Sequence, residues 1–179
     1  MIAKPKDIHG VFKPDFIAKS VDEIDFSYLK KQGTKAVMID LDGTVVNRGE
    51  YEVSDKIHKV LKKQNLQIYI ATNRPKSKGL KNLKHRLNAS GVIHPKGIVG
   101  KPFAHYYKKS LQILGLKNNQ VAMIGDRYIQ DIYGANRAGM TTIKIHKLGG
   151  SVNTLDKLLS DFEHNYTLKI SDKDKPIKK

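Results

Sequence analysis

Residues 36–44 read Ala36-Val37-Met38-Ile39-Asp40-Leu41-Asp42-Gly43-Thr44. The short apolar run at its head, with β-branched Val37 and Ile39, predicts a strand buried on both faces. Asp40 and Asp42 then fall at the strand's C-terminal end, where the chain turns at Gly43 and where open α/β sheets place their chemistry. Carboxylates at i and i+2 point the same way in a pleated strand, so the pair is costly unless a cation or a proton offsets it. This one stretch therefore implies a sheet packed on both sides and a site at one end of it that draws positive charge.

Outward from that stretch, strands alternate with helices. Towards the N-terminus, residues 1–30 read as a lead-in packed on the core, with a short helical turn over Ile24-Asp25-Phe26-Ser27-Tyr28-Leu29 that ends near Gly33. Towards the C-terminus comes a helix capped near Ser54, with Val53, Ile57, Val60 and Leu61 on its apolar stripe. A second strand, Gln67-Ile68-Tyr69-Ile70-Ala71, runs into Thr72-Asn73-Arg74-Pro75, and a helix with Leu80, Leu83 and Leu87 on one face follows. A third strand lies within 91–100, centred either on Val92-Ile93 or on Ile98-Val99. Lys101-Pro102 opens a helix with Pro at the favoured first turn and Phe103, Tyr107, Leu111 and Leu114 as its buried stripe.

The fourth strand, Gln120-Val121-Ala122-Met123-Ile124, leads into Gly125-Asp126 and Asp131, then a small-residue helix stopping at Gly139. The fifth runs from Thr141 to Ile145, before a last amphipathic helix with Leu155, Leu158, Leu159 and Phe162. This pattern predicts a three-layer, doubly wound α/β fold, Rossmann-like, with a central parallel sheet of about five strands. The main domain spans 31–165, and a basic tail occupies 166–179.

Composition narrows the partners without choosing one. The chain of 179 residues is long enough for one domain with a real core. It has no Cys, which excludes disulfides, thiol nucleophiles and thiolate metal sites. With 33 Lys and Arg against 17 Asp and Glu, the formal charge of +16 favours anionic partners: phosphorylated substrates, anionic membrane or nucleic acid. No aromatic and basic array of the kind that stacks bases is present, so nucleic acid is the weakest of the three. Residues 1–10 carry Lys, Asp and His where an export signal needs an apolar core, and no stretch approaches the roughly 20 apolar residues of a membrane span. The expectation is a cytoplasmic chain, with peripheral contact to an anionic membrane as a variant of it.

The order of Asp40-x-Asp42-Gly43-Thr44, Thr72, Lys101 ahead of a helix, and Gly125-Asp126 with Asp131 resembles the haloacid dehalogenase (HAD) superfamily of phosphohydrolases. The spacing of Asp126 and Asp131 is similar to its subclass IIIA. The stretch from Phe12 to Ile145 resembles the YqeG family and its phosphatidylglycerophosphatase relatives, through Pro14-Asp15, Lys19-Ser20, Ile24-Asp25, Lys101-Pro102 and Gly134-Ala135-Asn136-Arg137-Ala138-Gly139. Two positions depart from that family, Gly43 where Asn is common and Thr72-Asn73-Arg74 where Ser-Asn-Asn is common. The resemblance implies a phosphatase with no large cap domain, open to bulky or surface-held substrates.

It also implies roles. Asp40 would be the nucleophile that forms an aspartyl-phosphate, and Asp42 the acid and base for leaving group and water, with a pKa raised by its carboxylate neighbours. Thr72 and the Asn73 backbone amide would bind phosphoryl oxygens, and Lys101 would neutralise nucleophile and phosphate. Mg²⁺ suits the all-oxygen donor set, held by Asp40, the Asp42 carbonyl and Asp126, with Asp131 as ligand or orienter. Taken singly, a strand-end Asp such as Asp126 or Asp131 is more often a turn or cap residue and Lys101 a surface lysine; Arg74 and Arg48, near the rim of the site, either contact a substrate headgroup or, more often, are solvated arginines. Three functions follow: a phosphomonoesterase acting on a phospholipid headgroup, the same chemistry on a soluble nucleotide or sugar phosphate, and a non-catalytic nucleic-acid or membrane binder.

Overall fold

The computed structural model describes residues 10–95, 97 and 99–149. The expected last helix and the basic 166–179 tail lie outside the described residues. Six strands form one sheet: β1 (Phe16–Ala18), β2 (Ala36–Ile39), β3 (Gln67–Ala71), β4 (Gly91–Ile93), β5 (Val121–Gly125) and β6 (Thr141–Ile145). Every pairing is parallel, in the order β1-β6-β5-β2-β3-β4. The helices are α1 (Phe26–Lys31), α2 (Asp55–Lys62), α3 (Lys78–Arg86), α4 (Ala104–Leu114) and α5 (Gly134–Arg137).

Sheet pleat divides the core in two. Val37, Ile39, Ile68, Ile70, Ala122, Ile124, Ile143 and Ile145 pack on one face against Phe26 and Leu29 of α1, Ile57 and Leu61 of α2, and Leu80 and Leu83 of α3. Ala36, Met38, Ala71, Ile93, Val121 and Met123 pack on the other against Tyr106, Tyr107 and Leu114 of α4 and Ala135 of α5. Each of the larger side chains among them contributes roughly 1.5–3 kcal/mol over an exposed one, so the near-continuous apolar strands hold both helix layers. Ser54 caps α2 through its hydroxyl, which accepts from the Ile57 N–H, as the sequence predicts.

The sheet has six strands rather than the five expected. The extra one, β1, lies in the lead-in and pairs with β6 in the register Phe16↔Ile143 to Ala18↔Ile145. Three residues give too few positions for alternation to be counted, and the strand is fixed by remote partners: the Asp15 carboxylate accepts from the Thr142 backbone N–H at 2.9 Å and from its hydroxyl at 3.1 Å. The third expected strand settles on Gly91–Ile93, opposite Tyr69–Ala71. Pro102 is not at the first turn of α4, which begins at Ala104 with Phe103 in the capping position. Phe103 is accordingly 59% exposed, and Tyr106 joins Tyr107 and Leu114 in the buried stripe.

Connectivity then fixes where the chemistry can be. From β2 the chain moves outward to β3 and β4, then crosses back to β5 on the other side of β2. Crossovers from neighbouring β2 and β5 leave in opposite directions, which opens a crevice at their C-terminal ends. Ile39 is in register with Ile124, and the Asp40 N–H donates to the Ile124 carbonyl at 2.9 Å, so Asp40 and Asp126 emerge side by side at that crevice. The 40–54 connection holds a tight turn and an isolated bridge between Asp42 and Val46, and the 72–77 connection holds no helix or strand, so neither carries a cap domain.

Candidate active site

The turn after β2 is wound tightly on one acceptor: the Leu41 carbonyl takes the N–H groups of Thr44, Val45 and Val46 at 3.1, 3.0 and 3.0 Å. Gly43 has φ +80°, and a Cβ there would lie 2.7 Å from Asp126 Oδ2, so the turn favours glycine and any larger residue needs the Asp126 carboxylate to shift. Buried Thr44 donates its hydroxyl to Asp126 Oδ1 at 3.3 Å and so aims that carboxylate. Gly125 ends β5 where the Asp131 carboxylate lies against it, leaving no room for a Cβ. Asp131 sits in a π-helical segment, Tyr128–Tyr133, and its Oδ2 accepts from the Arg127 N–H at 3.1 Å.

Lys101 closes the cluster. Its ammonium donates to Asp40 Oδ1 at 2.5 Å and to Asp131 Oδ1 at 2.7 Å, with the Lys101 side chain only 1% exposed. Asn73 positions it through a reciprocal amide pair: the Lys101 N–H donates to Asn73 Oδ1 at 2.9 Å, and Asn73 Nδ2 donates to the Lys101 carbonyl at 3.1 Å. Buried Thr72 stands beside this pair, with its hydroxyl oxygen accepting the Arg74 N–H at 3.0 Å. Tyr106 and Tyr107 pack behind Lys101, their hydroxyls donating to the Ile93 and Gln130 carbonyls.

Carboxylate oxygens of Asp40, Asp126 and Asp131 come within 4.8 Å of one another, and all three residues are buried. The Lys101 ammonium bonds two of the three carboxyls, while Asp126 feels the charges of Lys144 and Arg127. Burial, with Asp131 and Asp126 adding to it and Lys101 opposing, pushes Asp40 up to about 7 from an ordinary 3.8. Burial and Asp131 push Asp126 up to about 6. Burial also acts to discharge Lys101, but Asp131 and Asp40 outweigh it, so its pKa rises well above the usual lysine value and the ammonium stays charged. The cluster is short of positive charge, and its hard oxygen donors fit a small divalent cation.

Asp42 departs from the expectation of a raised pKa. Its side chain turns from the cluster to Arg74, whose Nε donates to Oδ2 at 2.8 Å and Nη2 to Oδ1 at 2.6 Å, and the Gly49 N–H adds a bond of 2.9 Å. Burial pushes Asp42 up, yet the Arg74 and Gly49 hydrogen bonds prevail and its pKa is lowered. Arg74 is therefore no solvated arginine: its side chain is 12% exposed and forked on Asp42. An open cleft of about 440 Å³ lies in front of Asp40 and Asp42, walled by Arg48, Tyr51, Asn73, Arg74, Arg127, Gln130 and Lys147. All seven sequence-derived site residues converge on this crevice: Asp40, Lys101, Asp126 and Asp131 as one cluster, Thr72 and Asn73 bracing it, and Asp42 at the rim. The sequence assigns no partner to Thr44, and it offers Arg74 as a rim residue for a substrate headgroup or a solvated arginine; the fork on Asp42 is in neither reading.

Comparison with known proteins adds family evidence to this geometry. A haloacid dehalogenase-like hydrolase family model matches residues 37–99, and a HAD-hydrolase-like model matches residues 98–165. The probable phosphatase YqeG of Bacillus subtilis is 24% identical over 143 residues, which are 78% of this chain and 80% of that protein. The glyceraldehyde 3-phosphate phosphatase of Methanocaldococcus jannaschii is 35% identical over 81 residues, 45% of this chain but only 35% of that protein's length. Among solved structures, a haloacid dehalogenase-like family hydrolase of Streptococcus pneumoniae superposes with a TM-score of 0.53 at 16% identity, over 75% of this chain and 91% of that one.

Proposed function

We propose that this chain is a phosphatase of the HAD superfamily related to YqeG, and that it hydrolyses phosphate monoesters in two steps through an aspartyl-phosphate on Asp40, with Mg²⁺ at the acidic cluster. The observation that carries this reading is the buried set of Asp40, Asp126 and Asp131 at the sheet's crevice, with the Lys101 ammonium on two of them. Bound by Asp40, Asp126 and the Asp42 carbonyl, with Asp131 as ligand or orienter, the magnesium ion would screen the phosphoryl oxygens and hold them in line for attack.

The chain's own groups do the rest. Lys101 fixes Asp40 through Oδ1, which leaves Oδ2 to attack phosphorus. The Thr72 oxygen already accepts the Arg74 N–H, so its hydroxyl proton serves a phosphoryl oxygen, together with the Asn73 backbone N–H. As the Asp40–phosphorus bond forms and the ester oxygen leaves, Asp42, turned from Arg74 and protonated from solvent, gives that oxygen the proton. Water then attacks phosphorus, Asp42 takes the water's proton, and the Asp40–phosphorus bond breaks. Covalent relay through a placed carboxylate divides one slow displacement into two faster ones.

The resemblance to phosphatidylglycerophosphatases and the +16 charge make a phospholipid headgroup the first substrate to test. Among the described residues no helix is long and apolar enough to cross a membrane. Phosphate release is to be compared on phosphatidylglycerophosphate in micelles, nucleoside monophosphates and glyceraldehyde 3-phosphate, with Mg²⁺ and with chelator. Micellar lipid is expected to be hydrolysed fastest, and chelator to stop hydrolysis. Faster release from a soluble ester would move the substrate to that class, and no release from any ester would refute the reading.

A divalent cation should also show in stability. With Asp40 raised to about 7 and Asp126 to about 6, both from 3.8, the metal-free folded chain holds protons that the unfolded chain has lost. Their contribution is fully present below the unfolded value and is lost as pH rises through the folded ones, so metal-free stability should fall between about pH 4 and pH 7. Mg²⁺ offsets the same charges, and the gain in Tm on adding it should be small at pH 5 and several degrees at pH 7.5. A gain that does not vary with pH would contradict the assignment of these carboxyls.

A further inference from the structure

Arg74 is held more firmly than an arginine at the mouth of a cleft needs to be. Besides its fork on Asp42, Nη1 donates to the Glu50 carbonyl at 2.8 Å, and the guanidinium lies over the Tyr51 ring at 4.8 Å. Tyr51 is itself fixed, since its hydroxyl shares a hydrogen bond of 3.1 Å with Ser77 Oγ and its ring lies against Gly79, where a Cβ would reach it. Asp42, Arg74 and Tyr51 all face the cleft that Asp40 opens into. A guanidinium in a fixed pose presents a planar fork that fits a carboxylate or a phosphate equally well.

We propose that Arg74 sets substrate specificity: it holds Asp42 away from the ester until a second anionic group on the substrate takes over the guanidinium fork and frees Asp42 to turn towards the leaving oxygen. This rests on the phosphatase reading above and names the substrate class for that site. Asp42 cannot serve Arg74 and a leaving alkoxide at once, because both of its oxygens are spent on the fork. A substrate with one phosphate must break the pair and leave Arg74 uncompensated at a mostly buried position, with the side chain 12% exposed. A substrate with a second anion exchanges one partner of the fork for another. Arg48, Arg127 and Lys147 line the same cleft and strengthen its pull on such an ester. The second anion is a phosphodiester in a lipid headgroup, or a carboxylate in a small phosphorylated acid.

The test compares kcat/KM with Mg²⁺ for wild type, Arg74→Met and Arg74→Lys on p-nitrophenyl phosphate, on phosphoglycolate and on phosphatidylglycerophosphate micelles. Wild type is expected to favour at least one of the two-anion esters over p-nitrophenyl phosphate by about tenfold or more, and which one identifies the source of the second anion. In Arg74→Met that preference should vanish by opposite movements: the two-anion ester falls by about tenfold, and p-nitrophenyl phosphate rises several-fold because Asp42 is no longer sequestered. Arg74→Lys, which keeps the charge and loses the fork, should lie between the two. An equal fall on every ester, or an unchanged preference, would overturn the inference while leaving the phosphatase reading in place. Failure of wild type to hydrolyse any ester would instead defeat the phosphatase reading, and this inference with it.

Discussion

Asp40→Asn is expected to lose phosphate-ester hydrolysis by roughly 10⁴-fold or more, the scale on which removal of an activated nucleophile acts, while the protein stays folded with a metal-free Tm no lower than that of wild type. Both halves follow from one geometry. An amide cannot attack phosphorus, so the covalent step has no substitute. Its oxygen can still accept from the Lys101 ammonium, whose bond to Asp131 at 2.7 Å is untouched. The carboxyl it replaces is one that burial has pushed up to about 7, which marks its anion as a destabilising element of the metal-free fold. Steady-state assay beside thermal unfolding checks the pair of outcomes. Hydrolysis within tenfold of wild type by a folded Asp40→Asn protein would refute the nucleophile assignment.

Removal of the cation from the same cluster should have the opposite effect on stability. Lys101→Met keeps the stem and deletes the charge, which leaves buried Asp40 and Asp131 without the ammonium they share, to repel or to take up protons. Breaking a buried pair from one side typically costs about 3–5 kcal/mol, and here two carboxylates lose the partner together. Denaturant unfolding at neutral pH without metal should show a loss of that size, together with loss of hydrolysis. Mg²⁺ should restore part of the stability, because it supplies positive charge to the same oxygens, but not the hydrolysis, because Asp40 is no longer held through Oδ1. A stability loss below about 1 kcal/mol would mean that the carboxyls discharge one another by protonation and that Lys101 is not what balances them.

The site was legible because its residues sit where strand patterns end. Ala36–Ile39 and Val121–Gly125 are apolar runs that stop at acids, and the parallel topology does no more than place those ends side by side. What escaped the sequence depends on contacts between remote segments. The β1 strand is three residues long and takes its meaning from β6, whose paired residues are 127 positions away. Arg74 looked like a surface arginine because nothing local shows that the Asp42 side chain turns to it across 32 positions. Thr44 was visible as part of the acidic turn, but its bond to Asp126 spans 82 positions. The lowered pKa of Asp42 follows from the same blind spot: proximity of carboxylates in sequence suggested repulsion, while the folded chain gives that residue a guanidinium.

The most direct test of the account is to quench the Mg²⁺-loaded protein in acid during steady-state turnover and map where phosphoryl groups are attached. An acid-stable, base-labile phosphoryl group is expected on the peptide that carries Asp40, absent from Asp40→Asn. Steady turnover with no phosphorylated peptide, or with the group on another residue, would contradict it.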